Sequence, residues 1–182
     1  MIALIFAHPY PDRSRANRAL LAAVRDLDGV AVRSLYERYP DFDIDVAAEQ
    51  RALAEADTVV WQHPMYWYST PGLLKHWFEK VLARGWAYGE GGTALHGKRC
   101  LWVVTTGAGP SAFRPEGMHG HPMEAFVPPV EQTARFCGMR WEEPLVVHGA
   151  HTVGDEALAA AAADYRRRLA ALLAEARGGD DE

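Results

Sequence analysis

Two periods run through the hydrophobic and polar positions of this chain and divide it into elements. Ile2-Ala-Leu-Ile-Phe6 is nearly continuous apolar sequence, the mark of a strand buried on both faces of a parallel sheet. Apolar residues then recur at helical spacing as Ala19, Leu20, Ala23, Val24 and Leu27, which predicts a helix from Ala16 to Leu27 closed by Asp28-Gly29. Val30 to Leu35 alternates as a second strand, a polar linker runs to Asp45, and Val46 to Ala56 reads as a short helix. Thr58 to Trp61 is a third strand; beyond a loop over 61–71, Leu73, Leu74, Trp77, Phe78 and Val81 predict a helix from Gly72 to Leu82. Gly85 to Gly97 is glycine-rich and reads as an exposed, mobile connection. Arg99 to Thr106 is a fourth strand, followed by Gly107 to Ser111 and an irregular segment to His121. A helix lies within Pro122 to Gly138, although Pro128-Pro129 suits only a helix's first turn. Leu145 to His148 is a fifth strand, and Asp155 caps an alanine-rich helix from Glu156 to Arg177. Residues 178–182 are expected to be a disordered acidic tail beyond a single domain of residues 1–177.

Strands that alternate with helices call for right-handed crossovers and a parallel sheet covered on both faces. Five strands in a chain of this length fit best a flavodoxin-like three-layer α/β sandwich with strand order 2-1-3-4-5. Its ligand crevice lies between strands 1 and 3, outside their carboxyl ends, a switch point at which this architecture holds FMN. The loops at 8–17 and 61–71 both fall there.

Composition narrows the partners. A length of 182 residues supports one domain with a sizeable core, and 49% hydrophobic with 24% charged residues matches an ordinary globular protein. The formal charge of -5, with basic residues scattered apart from Arg166-Arg167-Arg168, excludes the basic stripe of a nucleic-acid surface. Cys100 and Cys137 share no C-x-x-C spacing and read as packed thiols in a reducing cytoplasm. The apolar start has no basic n-region, and no stretch approaches the roughly 18 apolar residues of a membrane span. The expected location is cytoplasmic, with any membrane association held through a partner.

The candidate chemistry sits in three loops. His8, Ser14, Arg15, Ala16 and Asn17 follow the first strand, where hydroxyl, amide and imidazole groups and a helix N-terminus suit a phosphate. Met65, Tyr66, Trp67 and Tyr68 follow the third strand and suit a flat conjugated guest. Thr105, Thr106, Gly107 and Ala108 end the fourth strand and bring backbone N–H groups close to a ligand. Neither a dinucleotide fingerprint nor a Walker loop follows the first strand, and the G-x-G-x-x-A of Gly89 to Ala94 precedes a strand rather than following one. His119, His121, His148 and His151 have spacings that match no standard zinc set, so no metal is expected.

His8-Pro-Tyr-Pro with Ser14 to Asn17, Gln62 to Tyr68 with Pro71 and Trp77 to Val81, Gly85-Trp-Ala-Tyr-Gly and Thr105-Thr-Gly together resemble the flavodoxin-like NAD(P)H:quinone oxidoreductases of the DT-diaphorase type, over Ile2 to about His148. Ser34-Leu-Tyr-Glu, Tyr39 to Asp45, Ala47 to Gln50 and Trp86 to Lys98 are similar, more narrowly, to the cytoplasmic ancillary proteins of bacterial glutathione-regulated potassium-efflux systems. The resemblance implies FMN (with FAD as the alternative), NADPH or NADH as hydride donor, a quinone as acceptor and two-electron ping-pong transfer. It puts the flavin phosphate on His8 and on Ser14 to Asn17, the ring system against Met65 to Tyr68, and the ring's edge on Thr105 to Ala108.

It also implies a homodimer in which Tyr88 of the partner completes the substrate pocket, and a further role as activating subunit of a potassium-efflux antiporter. A purely regulatory flavin-binding subunit is the alternative. Two positions depart from the pattern. Phe113 stands where a tyrosine is usual, which removes a tyrosine-to-histidine proton relay, yet His119 is retained as a proton donor because histidine exchanges protons near neutral pH. Ala108 stands where a glycine is usual, which matters little for a backbone contact.

Overall fold

A computed structural model describes residues 1–178. Strands β1 (Ile2–Phe6), β2 (Val30–Ser34), β3 (Thr58–Pro64), β4 (Arg99–Thr105), β5 (Arg140–Trp141) and β6 (Leu145–Val147) form one sheet of order β2-β1-β3-β4-β5, with β6 also paired to β4. Every pairing is parallel. Around it lie α1 (Arg15–Val24), α2 (Leu35–Arg38), α3 (Val46–Glu55), α4 (Gly72–Val81), α5 (Pro128–Phe136) and α6 (Asp155–Gly178).

Alternation along the central strands divides the interior into two layers. Ala3 and Ile5 of β1, Val59 and Trp61 of β3, and Cys100, Trp102 and Val104 of β4 pack against α3, α4 and α5. Ile2, Leu4, Phe6, Val60, Leu101 and Val103 face the other way, against Leu20 and Val24 of α1 and Tyr165 and Leu169 of α6. The three-layer sandwich expected from the sequence is therefore present.

Several boundaries move. The third strand continues through Gln62, His63 and Pro64, all buried, so the aromatic loop begins at Met65. The His63 ring is fixed at both nitrogens: Trp102 Nε1–H donates to its Nε2 at 2.7 Å, and its Nδ1 lies 2.9 Å from Pro64 O. This satisfies a polar residue that the β-branched pattern had cut from the strand. The predicted fifth strand is present as β6, and ahead of it the two-residue β5, which the pattern did not predict, also registers on β4, with a break at 142–144. The linker before Asp45 contains the four-residue α2. The first helix spans Arg15–Val24, and the helix expected within 122–138 starts at Pro128, with both prolines in its first turn and a 3-10 turn at Met123–Phe126 before it.

The glycine-rich connection at 85–97 is exposed at Gly85, at 89–91 and at Thr93, His96 and Gly97, as its composition suggests, but it is anchored to the core. Ala87 and Leu95 are fully buried, and the segment is closed by Gly85 N–H to Tyr88 O, Ala94 N–H to Trp86 O and Gly97 N–H to Gly138 O. Gly92 serves close packing, since a Cβ there would lie 2.2 Å from Tyr88 O, whereas Gly85, Gly89, Gly91 and Gly97 take positive φ. At the far end α6 includes Gly178, and residues 179–182 of the expected tail lie outside the described residues. Among the described residues no helix is long and apolar enough to cross a membrane.

Candidate active site

The crevice beyond the carboxyl ends of β1, β3 and β4 consists of two adjoining cavities that share Met65, Thr106 and Gly107. The inner one, about 240 Å³, is lined by His8, Arg13, Ser14, Arg15 and Tyr66 among others. The outer one, about 260 Å³, is lined by Trp67, Tyr68, Ala108, Phe113, Met118 and His119. An elongated slot of this kind accepts a flat ligand with a tail, and the chemistry of each end decides which.

The inner end is an anion cradle. Ser14 caps α1 by accepting from Asn17 N–H at 3.3 Å, and among the described residues the N–H groups of Arg15 and Ala16 have no acceptor. These are the orphan donors of a helix N-terminus, where the dipole favours negative charge. His8 is 8% exposed and receives Tyr10 N–H on Nδ1 at 3.0 Å, so its neutral ring carries the proton on Nε2 as a donor. Burial, and then the neighbouring His151, push the His8 imidazole below its ordinary range. His8 therefore acts as a neutral donor, with cationic charge left to Arg13.

A buried chain of polar groups holds this end in place. Tyr165 of α6 donates its hydroxyl to Gln62 Oε1 at 3.2 Å, Gln62 Nε2 donates to Asn17 O at 3.1 Å, and Asn17 Nδ2 donates to Thr105 Oγ1 at 2.8 Å. It ties α6, β3, α1 and β4 together beneath the crevice floor. Asn17 Oδ1 is buried without a partner, an acceptor left over next to the cradle.

The outer end is an aromatic slot built at a conformational cost. Trp67 and Tyr68 have φ of 49° and 62°, the pattern of a turn that normally uses Asn and Gly, closed by reciprocal hydrogen bonds between Tyr66 and Ser69 at 3.1 and 3.0 Å. Non-glycine residues held in this region cost about 1–3 kcal/mol each and cluster at functional sites. The strain exposes the rings: Trp67 is 93% exposed. Tyr68 stacks on Phe126 with centroids 5.4 Å apart and brings its hydroxyl to 3.4 Å from His119 Nδ1. Phe113 packs between His119 and His148, at 4.5 and 4.9 Å.

Of the residues singled out from sequence, His8, Ser14, Arg15, Met65, Tyr66, Trp67, Tyr68, Thr105, Thr106, Gly107, Ala108 and His119 line one or other cavity. Three play a different part from the one their position suggested. The Arg15 guanidinium is turned outward to Val153 O at 2.6 Å and to the Asp155 carboxylate, leaving its backbone N–H as its contribution. The Ala16 side chain is fully buried in the α1–α6 layer, and the Asn17 side chain faces Thr105. Tyr88 reaches neither cavity of its own chain; it lines a separate groove of about 450 Å³ between α4 and α5, where it packs on Phe136 at 5.1 Å.

Gln62, Tyr165, His148 and His151 were missed as site residues. A glutamine inside an apolar strand was the available signal for the first; the others come from the segment after β6 and from α6, which only the fold brings to the crevice. Of the four histidines weighed for a zinc site, His119 faces the Tyr68 hydroxyl and His148 faces the Thr106 hydroxyl, and among the described residues no group of three or more metal-ligating side chains converges.

Comparison with known proteins follows the same outline. The family model described as flavodoxin-like fold matches residues 1–170. Among solved structures, one described as a thermophilic tryptophan halogenase from Streptomycin violaceusniger is 39% identical over 93% of this chain and 98% of its own, with a TM-score of 0.87. The general stress protein 14 of Treponema denticola, solved in complex with FMN, is 37% identical over 94% of this chain and 98% of its own, with a TM-score of 0.88. An NADPH-quinone reductase from P. pentosaceus is 28% identical over 92% of this chain and 96% of its own, with a TM-score of 0.84.

Proposed function

The chain belongs to the flavodoxin-like fold family, and from that premise we propose that it is an FMN-dependent NAD(P)H:quinone oxidoreductase. The observation that carries this reading is the crevice: an anion cradle and an aromatic slot joined end to end, the two ends that a flavin mononucleotide presents. The residues fit the group. His8, Ser14 and the N–H groups of Arg15 and Ala16 would hold its phosphate; Met65 to Tyr68 and Thr106 to Ala108 would hold its ring system. FMN bound in the Treponema relative supports the choice over FAD, as does the small inner cavity.

When bound, FMN supplies two-electron chemistry that alternates between a nicotinamide and an acceptor. The chain's own residues position and exclude. The relatives carry three different descriptions, so the fold does not choose the acceptor, and the slot has to. Its walls are Trp67, Tyr68, Phe113 and Met118, which suit a flat, uncharged acceptor, and the quinone reductase relative fits that chemistry. His119 is the imidazole lining the slot and is the group that would hand a proton to a reduced acceptor. Phe113 beside it relays nothing.

The slot is open on one side. Trp67 at 93%, Met118 at 78% and Tyr68 at 50% exposure leave apolar surface at its mouth. A second copy that covers this mouth and adds its own Tyr88 would close the pocket, and the chain is accordingly read as a homodimer. A second role, as activating subunit of a potassium-efflux antiporter, is supported by the sequence runs within 34–50 and 86–98 alone.

Steady-state reduction of a benzoquinone by NADPH, with the FMN-loaded protein, tests the proposal. Parallel double-reciprocal lines and a loss of kcat/KM in Tyr68→Ala are expected. FMN-loaded protein that turns over no quinone with either nicotinamide would refute it.

A further inference from the structure

The turn that follows β4 is tied by its carbonyls and free at its N–H groups. Thr106 O accepts from Ala150 N–H at 2.8 Å, and Ala108 O accepts from Gly149 N–H at 2.9 Å and from the Thr106 hydroxyl at 2.8 Å. Among the described residues the N–H groups of Gly107 and Ala108 meet no acceptor. In a trans peptide the N–H points opposite to the C=O of the same plane. With Thr106 O drawn toward the segment after β6, Gly107 N–H points away from it. Fixing Ala108 O as well locks the peptide plane on the other side, and Ala108 N–H is held between the two.

The Thr106 hydroxyl is the adjustable part. It has one proton and two neighbours within reach: Ala108 O, and Nδ1 of His148 at 3.0 Å. A proton on His148 Nδ1 makes that ring the donor and Thr106 oxygen the acceptor, which sends the hydroxyl proton to Ala108 O. A proton on Nε2 alone would turn Nδ1 into an acceptor and draw the hydroxyl away from Ala108. The His148 ring is itself held by Phe113, 4.9 Å away; burial lowers its imidazole, and Glu124 is the acidic neighbour that opposes this.

We propose that His148 is a positioning residue of the crevice. Through Nδ1–H it directs the Thr106 hydroxyl onto Ala108 O, and so holds the Gly107 and Ala108 N–H groups ready for the electron-rich edge of the bound ring system. Fixed donors at an edge that gains negative charge favour the charged form, in the manner of an oxyanion hole. The inference rests on the FMN reading. Its effect is a preference of the crevice for reduced over oxidised FMN, separate from how tightly the phosphate end holds either.

The test compares FMN-loaded wild type, His148→Phe and His148→Asn by anaerobic redox titration. Phenylalanine keeps a ring against Phe113 but has no donor; asparagine presents an amide N–H near the place of Nδ1–H. Without Nδ1–H the Thr106 oxygen loses the donor that fixes its rotamer, and the preference of His148→Phe for reduced FMN is expected to fall by about tenfold, or about 30 mV for a two-electron couple. His148→Asn should stay near wild type. If His148→Phe does not fold, Thr106→Val set against Thr106→Ser reads the same link and should show the same separation.

Equal potentials in all variants would overturn the inference while leaving the FMN reading intact, as would an equal fall in His148→Asn and His148→Phe. A wild-type chain that takes up no FMN would overturn both. Nitrogen-15 spectra of the ligand-free protein give an independent reading: a protonated Nδ1 on His148 is expected, and a proton on Nε2 alone would contradict the proposal.

Discussion

Removing one member of the polar chain beneath the cradle should cost more than the bond it made. Gln62, Tyr165 and Asn17 are all at most 1% exposed, so water cannot replace a lost partner. Tyr165→Phe deletes a single donor and leaves Gln62 Oε1 unpaired, which costs about 2 kcal/mol. Gln62→Leu leaves the Tyr165 hydroxyl buried without an acceptor and strips a donor from Asn17 O; about 3 kcal/mol is expected. In the double variant the orphan hydroxyl and the orphan amide oxygen vanish together. Its loss should therefore be about 3 kcal/mol instead of about 5, a coupling of about 2 kcal/mol. Urea unfolding measures all four proteins, and equal m-values show that the unfolding reaction is the same. Additivity within about 0.5 kcal/mol would show that Gln62 and Tyr165 are not coupled. A functional corollary separates the two ends of the chain of bonds: Gln62→Leu loosens the first turn of α1 and should weaken FMN binding, whereas Tyr165→Phe should not.

Three other outcomes follow from buried groups outside the crevice. Burial lowers the His63 imidazole from 6.5 to about 4, so between these values only the unfolded chain takes up the proton; stability should fall by about 3 kcal/mol as pH drops through that window, and a His63 that titrates near 6.5 in NMR would contradict this. Glu49 is fully buried; burial would raise its carboxyl, but hydrogen bonds from Arg33 and then Tyr39 and Trp77 hold it below the usual range. Glu49→Gln leaves the Arg33 guanidinium without its counter-charge and should cost about 3 kcal/mol in urea unfolding, with no change expected only if the pair is solvated. Gly92→Ala forces its Cβ onto Tyr88 O and should lower stability by about 1–3 kcal/mol while displacing the Tyr88 segment, visible as altered tryptophan fluorescence from Trp86; an unchanged Tm would show that the 85–97 turn yields easily.

The fold was legible because buried parallel strands announce themselves twice, as apolar runs and by the helices between them. β1, the start of β3, and β4 follow that pattern, and their order put the loops at 8–17 and 61–71 on one crevice. What the pattern hid was polar. Gln62 and His63 broke the apolar run and were left out of β3, although each is satisfied by a specific buried partner. β5 is two residues long, too short for any period. Glycine in the 85–97 segment reads as freedom in a sequence, whereas Gly92 permits close packing on Tyr88 and the others provide positive φ. For the site, residue types near the strand ends were enough to find both cavities. They could not show that Arg15 turns its charge to Asp155, nor that His148 and His151 arrive from across the sheet, because both depend on how α6 and the segment before it pack.

If this crevice holds FMN and passes electrons from a nicotinamide to a quinone, both half-reactions change the colour of the protein. An anaerobic visible spectrum of the FMN-reconstituted protein, recorded before and after NADPH and again after a benzoquinone, tests this most directly. Flavin bands that bleach with NADPH and return with quinone are the expected result. A protein that takes up no FMN, or whose bound FMN responds to neither reagent, would contradict the account.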